Sequence, residues 1–420
     1  MQRRAFDALC FRAARSKLEK GVLPMAAQPK TLAVVTGTRA EYGLLRPVIQ
    51  KLLKSDDFIP KVLVTGAHLA QEFGNTVQEI EADGVPIAAR IPILKFGTGP
   101  LATADTVAYT IQQFSRWFWE HKPDAVLVLG DRYEIFAAAQ AAAMTGVPIA
   151  HISGGDVTLG AADDYYRHCI TKMAHLHFPS CAEYARRVIR MGEAPDTVFN
   201  VGGLGDENIR TMPKMSREEL SESLGFDLSG PFALVTFHPE TAGGASPTQQ
   251  VAQLLAAMEQ LQKTQPVRWL ITKANADAGG LAINELIDRW VEKYPDRAIA
   301  FTSLGVKRYL SAMACAAAVV GNSSSGVVET PTFGVPTVNI GERQAGRIIC
   351  PNVICCPAEK TKILTALKTA FRPEFAAKAK QTVSPYNGGD TSGRIVQILR
   401  QQLARPEFGA PKGFYDGPVE

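Results

Sequence analysis

The most informative run of ionisable residues in the chain is HISGGDVTLGAADDYYRHCITKMAH, residues 151–175. An apolar strand, PIAHI, delivers His151 into a Gly154–Gly155 loop, and Asp163 and Asp164 then open a helical stretch. Arg167 and His168 lie one turn further along, so Asp163–Arg167 and Asp164–His168 pairs are expected, fixing the carboxylates and setting their protonation. Ordinary surface helices carry such pairs too. Here, however, Gly154, Gly155, His151, His168, Asp156, Asp163 and Asp164 crowd into a span too polar for a core. His175 and His177 alternate on a following strand and face opposite ways, which suits packing better than metal ligation.

Two further clusters in the first half stand where a strand gives way to a helix. VLGDRYE (residues 128–134) puts Asp131 and Arg132 at a strand's carboxyl end, the usual ligand edge of an open α/β sheet. VVTGTRAEYGLL (residues 34–45) runs from strand through Gly37 into a helix near Glu41. Its free amides and the Arg39 fork suit a phosphate, while the spacing is not that of a dinucleotide fingerprint. Two more clusters open and close the second half. TFHPETAGG (236–244) stands His238 at a strand end, where imidazole can donate to a diphosphate oxygen. VVGNSSSGVVETPTFGVPTVNIGERQAGR (319–347) ends a strand at Gly321 and continues through Asn322 and three serines. Ser323 and Ser324 suit phosphates. Glu329, expected in a short helix one turn down, suits a ribose 2′,3′-diol, with Arg343 and Arg347 within reach.

Elements that could position these groups follow from apolar β-branched runs alternating with amphipathic stretches, the pattern of parallel sheets with helices on both faces. Strands are expected at TLAVVT (31–36), IPKVLVTG (59–66), DAVLVLG (124–130), PIAHI (148–152), HLHFPS (175–180) and TVFNVGG. The second half repeats this grammar at FALVTFHP (232–239), RWLITKAN (268–275), AIAFTS (298–303), AAVVGNS (317–323) and TVNIG (337–341). The expected fold class is α/β, two Rossmann-like doubly wound halves around a cleft. The expected division is 1–28 an N-terminal extension, 29–210 the first domain and 225–385 the second. A helix over 386–405 and a tail over 406–420, disordered or draped on the surface, complete it.

Composition narrows the function classes. At 420 residues the chain exceeds one ordinary core, and 46% hydrophobic with 20% charged residues is a globular balance. The net charge of +4 is carried entirely by residues 1–24, so no polyanion-binding surface and no nucleic-acid partner is expected. That leader lacks a secretory signal's apolar core and cleavage site, and no apolar run spans a bilayer. Seven cysteines without CxxC spacing read as free thiols in a reducing, cytoplasmic compartment. No DxD sequence or metal-ligand cluster is present, so neither metal nor cofactor is expected.

GTRAEYG, GDRYE, the GGD…DDYYRHCITKMAHLHF block, FHPET, NSSSGVVE and NIGERQAGR together resemble the UDP-N-acetylglucosamine 2-epimerase family, its hydrolysing branch in particular, over roughly residues 30–400. The resemblance implies a GT-B fold with a C-terminal helix crossing back to the first domain. It also implies a cytoplasmic homodimer or homotetramer. It assigns Arg39, Ala40, Arg132, His238, Asn275, Ser323, Ser324, Glu329 and Arg343 to UDP, and Asp131 with the Asp163–Asp164 pair to catalysis. Family members carry a catalytic Glu where this chain has Ser153; Asp156, the nearest acid, joins the catalytic candidates, as does His238 for the leaving diphosphate. The implied reaction takes UDP-N-acetylglucosamine and water to N-acetylmannosamine and UDP, or acts on a diacetamido analogue. A glycosyltransferase or a nucleotide-sugar sensor on the same cleft are the competing readings.

Overall fold

The computed structural model describes residues 28–97, 99–159, 163–240, 246–274 and 279–419. Six strands form a first parallel sheet: β1 (Lys30–Thr36), β2 (Phe58–Thr65), β3 (Ile87–Ile91), β4 (Ala125–Leu129), β5 (Ile149–Ile152) and β6 (Leu176–Phe178). They lie in the order β3-β2-β1-β4-β5-β6. A second sheet holds β7 (Phe232–Thr236), β8 (Arg268–Thr272), β9 (Ala298–Phe301), β10 (Ala318–Gly321), β11 (Thr337–Ile340) and β12 (Val353–Cys356), ordered β12-β11-β10-β7-β8-β9. Counted from its own first strand, each sheet reads 3-2-1-4-5-6, the doubly wound order. It reverses between β1 and β4 and again between β7 and β10, where such sheets open a ligand crevice.

The two-residue period of β1 shows how the layers form. Leu32 and Val34 point into one core with Leu45, Ile49 and Leu52 of the helix Arg39–Leu53. Ala33 and Val35 point the other way, onto Phe114 and Phe118 of the helix Pro100–His121 and Ile135 and Ala138 of the helix Tyr133–Met144. Both faces are covered, so the strand is an unbroken apolar run. The helix Thr391–Leu403 inserts Ile395, Leu399 and Leu403 into the same core as Leu32. The tail then drapes over the first half. Lys412 Nζ donates to Glu193 Oε2 at 2.6 Å, and Tyr415 N to Gly192 O at 3.0 Å.

The structure differs from the sequence reading at several elements. β3 and β12 add an edge strand to each sheet. TVFNVGG forms a single bridge, His177 to Val198, because the chain turns at Gly202 into the helix Leu204–Thr211 before a ladder can extend. Glu329 sits in no helix. It joins two one-turn helices, Ser325–Val328 and Thr330–Phe333, since Pro331 cannot donate into a continuous ladder. Among the described residues no helix is long and apolar enough to cross a membrane, and Cys169, Cys181, Cys315, Cys350, Cys355 and Cys356 are free thiols.

Candidate active site between the two sheets

Arg167 organises the first half's crevice. It is 2% exposed and pairs through Nη2 with Asp131, just beyond β4. Nη1 donates to Asp164 Oδ1 at 3.0 Å and to Asp156 O at 3.0 Å, and Nη2 to Thr158 Oγ1 at 3.0 Å. Burial alone would pull the guanidinium down, but Asp131, Asp156 and Asp164 outweigh it and hold the group firmly charged. Asp164 also lies 3.4 Å from His168 Nε2, so one aspartate serves both basic partners. The expected Asp164–His168 pair is present; Arg167, expected on Asp163, bonds Asp164 and reaches back across the sheet to Asp131, a contact that i,i+4 spacing cannot anticipate. Asp163 begins the helix Asp163–Met173 beside this group and is half-buried.

His151 supports the group from below. Its Nε2 lies 2.9 Å from Gly130 O and its Nδ1 3.2 Å from Thr171 Oγ1, which makes Nε2 the donor and Nδ1 the acceptor. Burial pushes the ring down to about 3, so it is neutral and holds the carbonyl preceding Asp131. Ser153 takes φ +66 and donates its N–H to Phe178 O at 3.0 Å. Gly155, at φ +84, passes so near the helix Ala182–Arg190 that a Cβ would lie 2.4 Å from Tyr184 O; glycine is required there.

Arg132 is held beside this crevice. Its Nε donates to Glu134 Oε1 at 2.7 Å, and Glu134, with Glu41 close by, pushes the guanidinium far up despite burial. Glu41 Oε2 accepts from Gly37 N at 2.7 Å and Thr38 N at 3.1 Å while Thr38 caps the helix Arg39–Leu53. Burial first, then the Glu134 charge, push Glu41 well above the carboxylate range. Sequence reasoning missed this acid pair, because each glutamate looks like an ordinary first-turn residue. The Thr38-x-x-Glu41 capping box was the one available signal. Arg39 stands at the helix start with Nη1 3.9 Å from Glu79 Oε1, and Ala40 beside it is exposed.

Across the gap the second half presents mostly neutral donors. His238, just past β7, donates its N–H to Asn322 Oδ1 at 2.7 Å, and Asn322 Nδ2 donates back to His238 O at 2.8 Å. This exchange sets His238 and the serine loop on one edge. Burial, followed by the charge of Arg343, pushes the imidazole down to about 3, so it acts as a neutral donor. Arg343 Nη1 and Gln344 Nε2 donate to Asn322 O at 3.2 and 2.9 Å. Glu240 Oε1 accepts from the amides of Glu342 and Arg343 at 2.8 and 3.2 Å, fixing the turn that bears Arg343. Ser323 and Ser325 hydrogen-bond Tyr309, which burial and the Glu329 charge push up to about 12. Ser324 precedes the helix Ser325–Val328. Glu329 is itself pushed up by burial, and its Oε2 is buried with no hydrogen-bond partner among the described residues. Asn275 lies outside the described residues.

The two edges meet. Leu159 N donates to Ala345 O at 3.0 Å, Arg347 Nη2 lies 3.2 Å from Asp156 Oδ2, and Thr332 hydrogen-bonds Asp206. Asp131 and Asp164 thus share the Arg167 guanidinium, which also holds the Asp156 backbone carbonyl, opposite the His238–Asn322–Arg343 edge.

The sequence pattern of the UDP-N-acetylglucosamine 2-epimerase family matches residues 50–400. A Campylobacter jejuni protein named GDP/UDP-N,N'-diacetylbacillosamine 2-epimerase (hydrolyzing) is 38% identical over 77% of this chain and 84% of its own length. The Escherichia coli polysialic acid biosynthesis protein P7 is 35% identical over 93% of this chain and 98% of its own. Among solved structures, Neisseria meningitidis UDP-GlcNAc 2-epimerase bound to UDP-GlcNAc superposes with a TM-score of 0.75 at 18% identity, over 88% of this chain and all of that one, which establishes the shared two-sheet fold. By the extent of these matches, the chain belongs to the UDP-N-acetylglucosamine 2-epimerase family.

Proposed function

We propose that the chain is a hydrolysing 2-epimerase that takes UDP-N-acetylglucosamine and water to N-acetylmannosamine and UDP. The observation that carries this reading is the pair of carboxylates on Arg167, Asp131 and Asp164, with Asp156 beside them, facing a mostly neutral, donor-rich edge. The C2–H bond of the sugar has no adjacent carbonyl and is too weakly acidic to be broken directly. As the C1–O bond breaks, UDP leaves with the electron pair, and positive character at C1 acidifies C2. A carboxylate then takes the C2 proton in an anti elimination that gives a 2-acetamidoglycal. Water returns a proton to C2 on the opposite face and a hydroxyl to C1.

Asp131 is assigned the C2 proton, with Asp163 or Asp164 assisting and Asp156 as the remaining acid. Arg39, His238 and the Ser323–Ser324 loop meet the departing diphosphate, a role that fixed donors fill without reorganisation. Arg132, Asn275 and Arg343 are assigned to UDP. Glu329, whose Oε2 has an acceptor position to spare, is assigned to the ribose hydroxyls. A cytoplasmic homodimer or homotetramer feeding nonulosonic acid synthesis belongs to the same proposal, and the name of the E. coli relative supports that pathway.

The test is incubation with UDP-N-acetylglucosamine alone, followed by NMR. Free UDP and N-acetylmannosamine are expected, and release of UDP only after an acceptor is added would mean a glycosyltransferase instead. A second substrate, the UDP-linked 2,4-diacetamido sugar, is favoured by the name of the C. jejuni relative. Turnover of the two sugars side by side decides between them.

A further inference from the structure

Two arginines on one turn part company. Arg343 Nη1 stays in its own half, donating to Asn322 O at 3.2 Å. Arg347 crosses the gap, its Nη2 3.2 Å from Asp156 Oδ2, with the two side chains only 13% and 14% exposed. The crossing is built into both backbones. Leu159 N bonds Ala345 O at 3.0 Å, and Gly346, at φ +89, lies where a Cβ would sit 2.6 Å from Val157 Cγ1. A side chain at position 346 would wedge the two loops apart.

The other side-chain hydrogen bonds of Asp156 come from neutral groups of its own half. Its Oδ1 accepts from Val157 N at 2.9 Å, and Arg167 reaches only its backbone carbonyl. Tyr184 hydrogen-bonds the Asp156 side chain and also Tyr386, at 3.1 Å, on the segment that returns from the second half. The cation on the Asp156 carboxylate is therefore supplied by the opposite half of the molecule.

We infer that Arg347 is a positioning residue: it aims the Asp156 carboxylate for proton transfer only when the two halves are closed, coupling closure to chemistry. The inference rests on the proposed function for the identity of the reaction. Misplacing a reacting group by about 1 Å costs on the order of 10²-fold in rate. Arg347→Met in the full chain, assayed with the UDP-sugar that the unaltered protein turns over, should lower kcat about 10²-fold while KM and UDP affinity stay within about threefold. Arg347→Lys, which keeps the charge and stem, should recover about tenfold of that loss, and it carries the test should the Met variant fail to fold. Adding Arg347→Met to Asp156→Asn should cost no further kcat, because contacting residues of one unit do not add. A loss of UDP affinity with kcat intact would place Arg347 on the diphosphate and overturn the inference, as would additive losses or unchanged kinetics. If the unaltered protein turns over neither sugar, the proposed function fails. The latch is then read by small-angle scattering under saturating UDP, where Arg347→Met should be more expanded and superimposable curves would overturn it.

Discussion

The two halves share a strand order and furnish the equivalent crevice differently. Between β1 and β4 stand ions: Asp131 on Arg167 and Arg132 on Glu134, with Glu41 behind. Between β7 and β10 stand mostly neutral groups: Asn322, the serines, Tyr309, a Thr236–Thr272 hydroxyl pair and an uncharged His238. Proton transfer needs carboxylates whose charge is held in place, whereas a leaving diphosphate brings its own charge and needs only fixed donors. The backbone plan carries no such instruction; the loops at the strand ends do.

That contrast can be broken most severely at Asp131. Asp131→Asn should cut turnover by about 10²–10⁴ with UDP affinity nearly unchanged, as read by steady-state rates and calorimetry. Equal losses in both would remove the division of labour. Arg167→Met leaves its carboxylates uncompensated and should cost about 3–5 kcal/mol in urea unfolding. In contrast, Asn322→Ala on the neutral side breaks hydrogen bonds without stranding a charge, and should cost about 1–3 kcal/mol.

Glu41 offers a pH test. Its folded-state value lies above the unfolded one, so the native protein binds the extra proton, and this group's stabilisation is lost as pH rises from the ordinary carboxylate range to about 8. Glu41→Gln should keep the Gly37 and Thr38 bonds and flatten that decline, measured as Tm at pH 5 and pH 8; an unchanged slope would mean the acid pair is not the source. The smallest effect is expected at His238: His238→Ala should weaken UDP binding about tenfold, the worth of one good hydrogen bond.

Much of this was legible in the chain, for identifiable reasons. Runs such as LAVV and AVLVL are buried on both faces and so carry no competing pattern, and Gly-Asp at a strand's end marked the crevice. The edge strand IAARI, alternating half-buried and exposed, gave a weaker signal, and VICC is short and never fully buried. At the site, the acids could be named but their hub could not. Arg167 sits one turn from Asp163, so local spacing points along the helix, where it does reach Asp164, but the same guanidinium also binds Asp131, 36 residues earlier. The Arg347–Asp156 contact joins residues from separate sheets, and no periodicity encodes it.

The helix Thr391–Leu403 has a consequence for how the polypeptide comes off the ribosome. Because Ile395, Leu399 and Leu403 complete the core around Leu32 and Leu45, the half made first must wait for the segment made nearly last. The later half, whose own core closes with Ile363 and Leu367, can consolidate sooner. Birth order and folding order are thereby inverted, and a nascent chain stopped short of residue 391 should expose its oldest sheet to proteases while protecting its youngest.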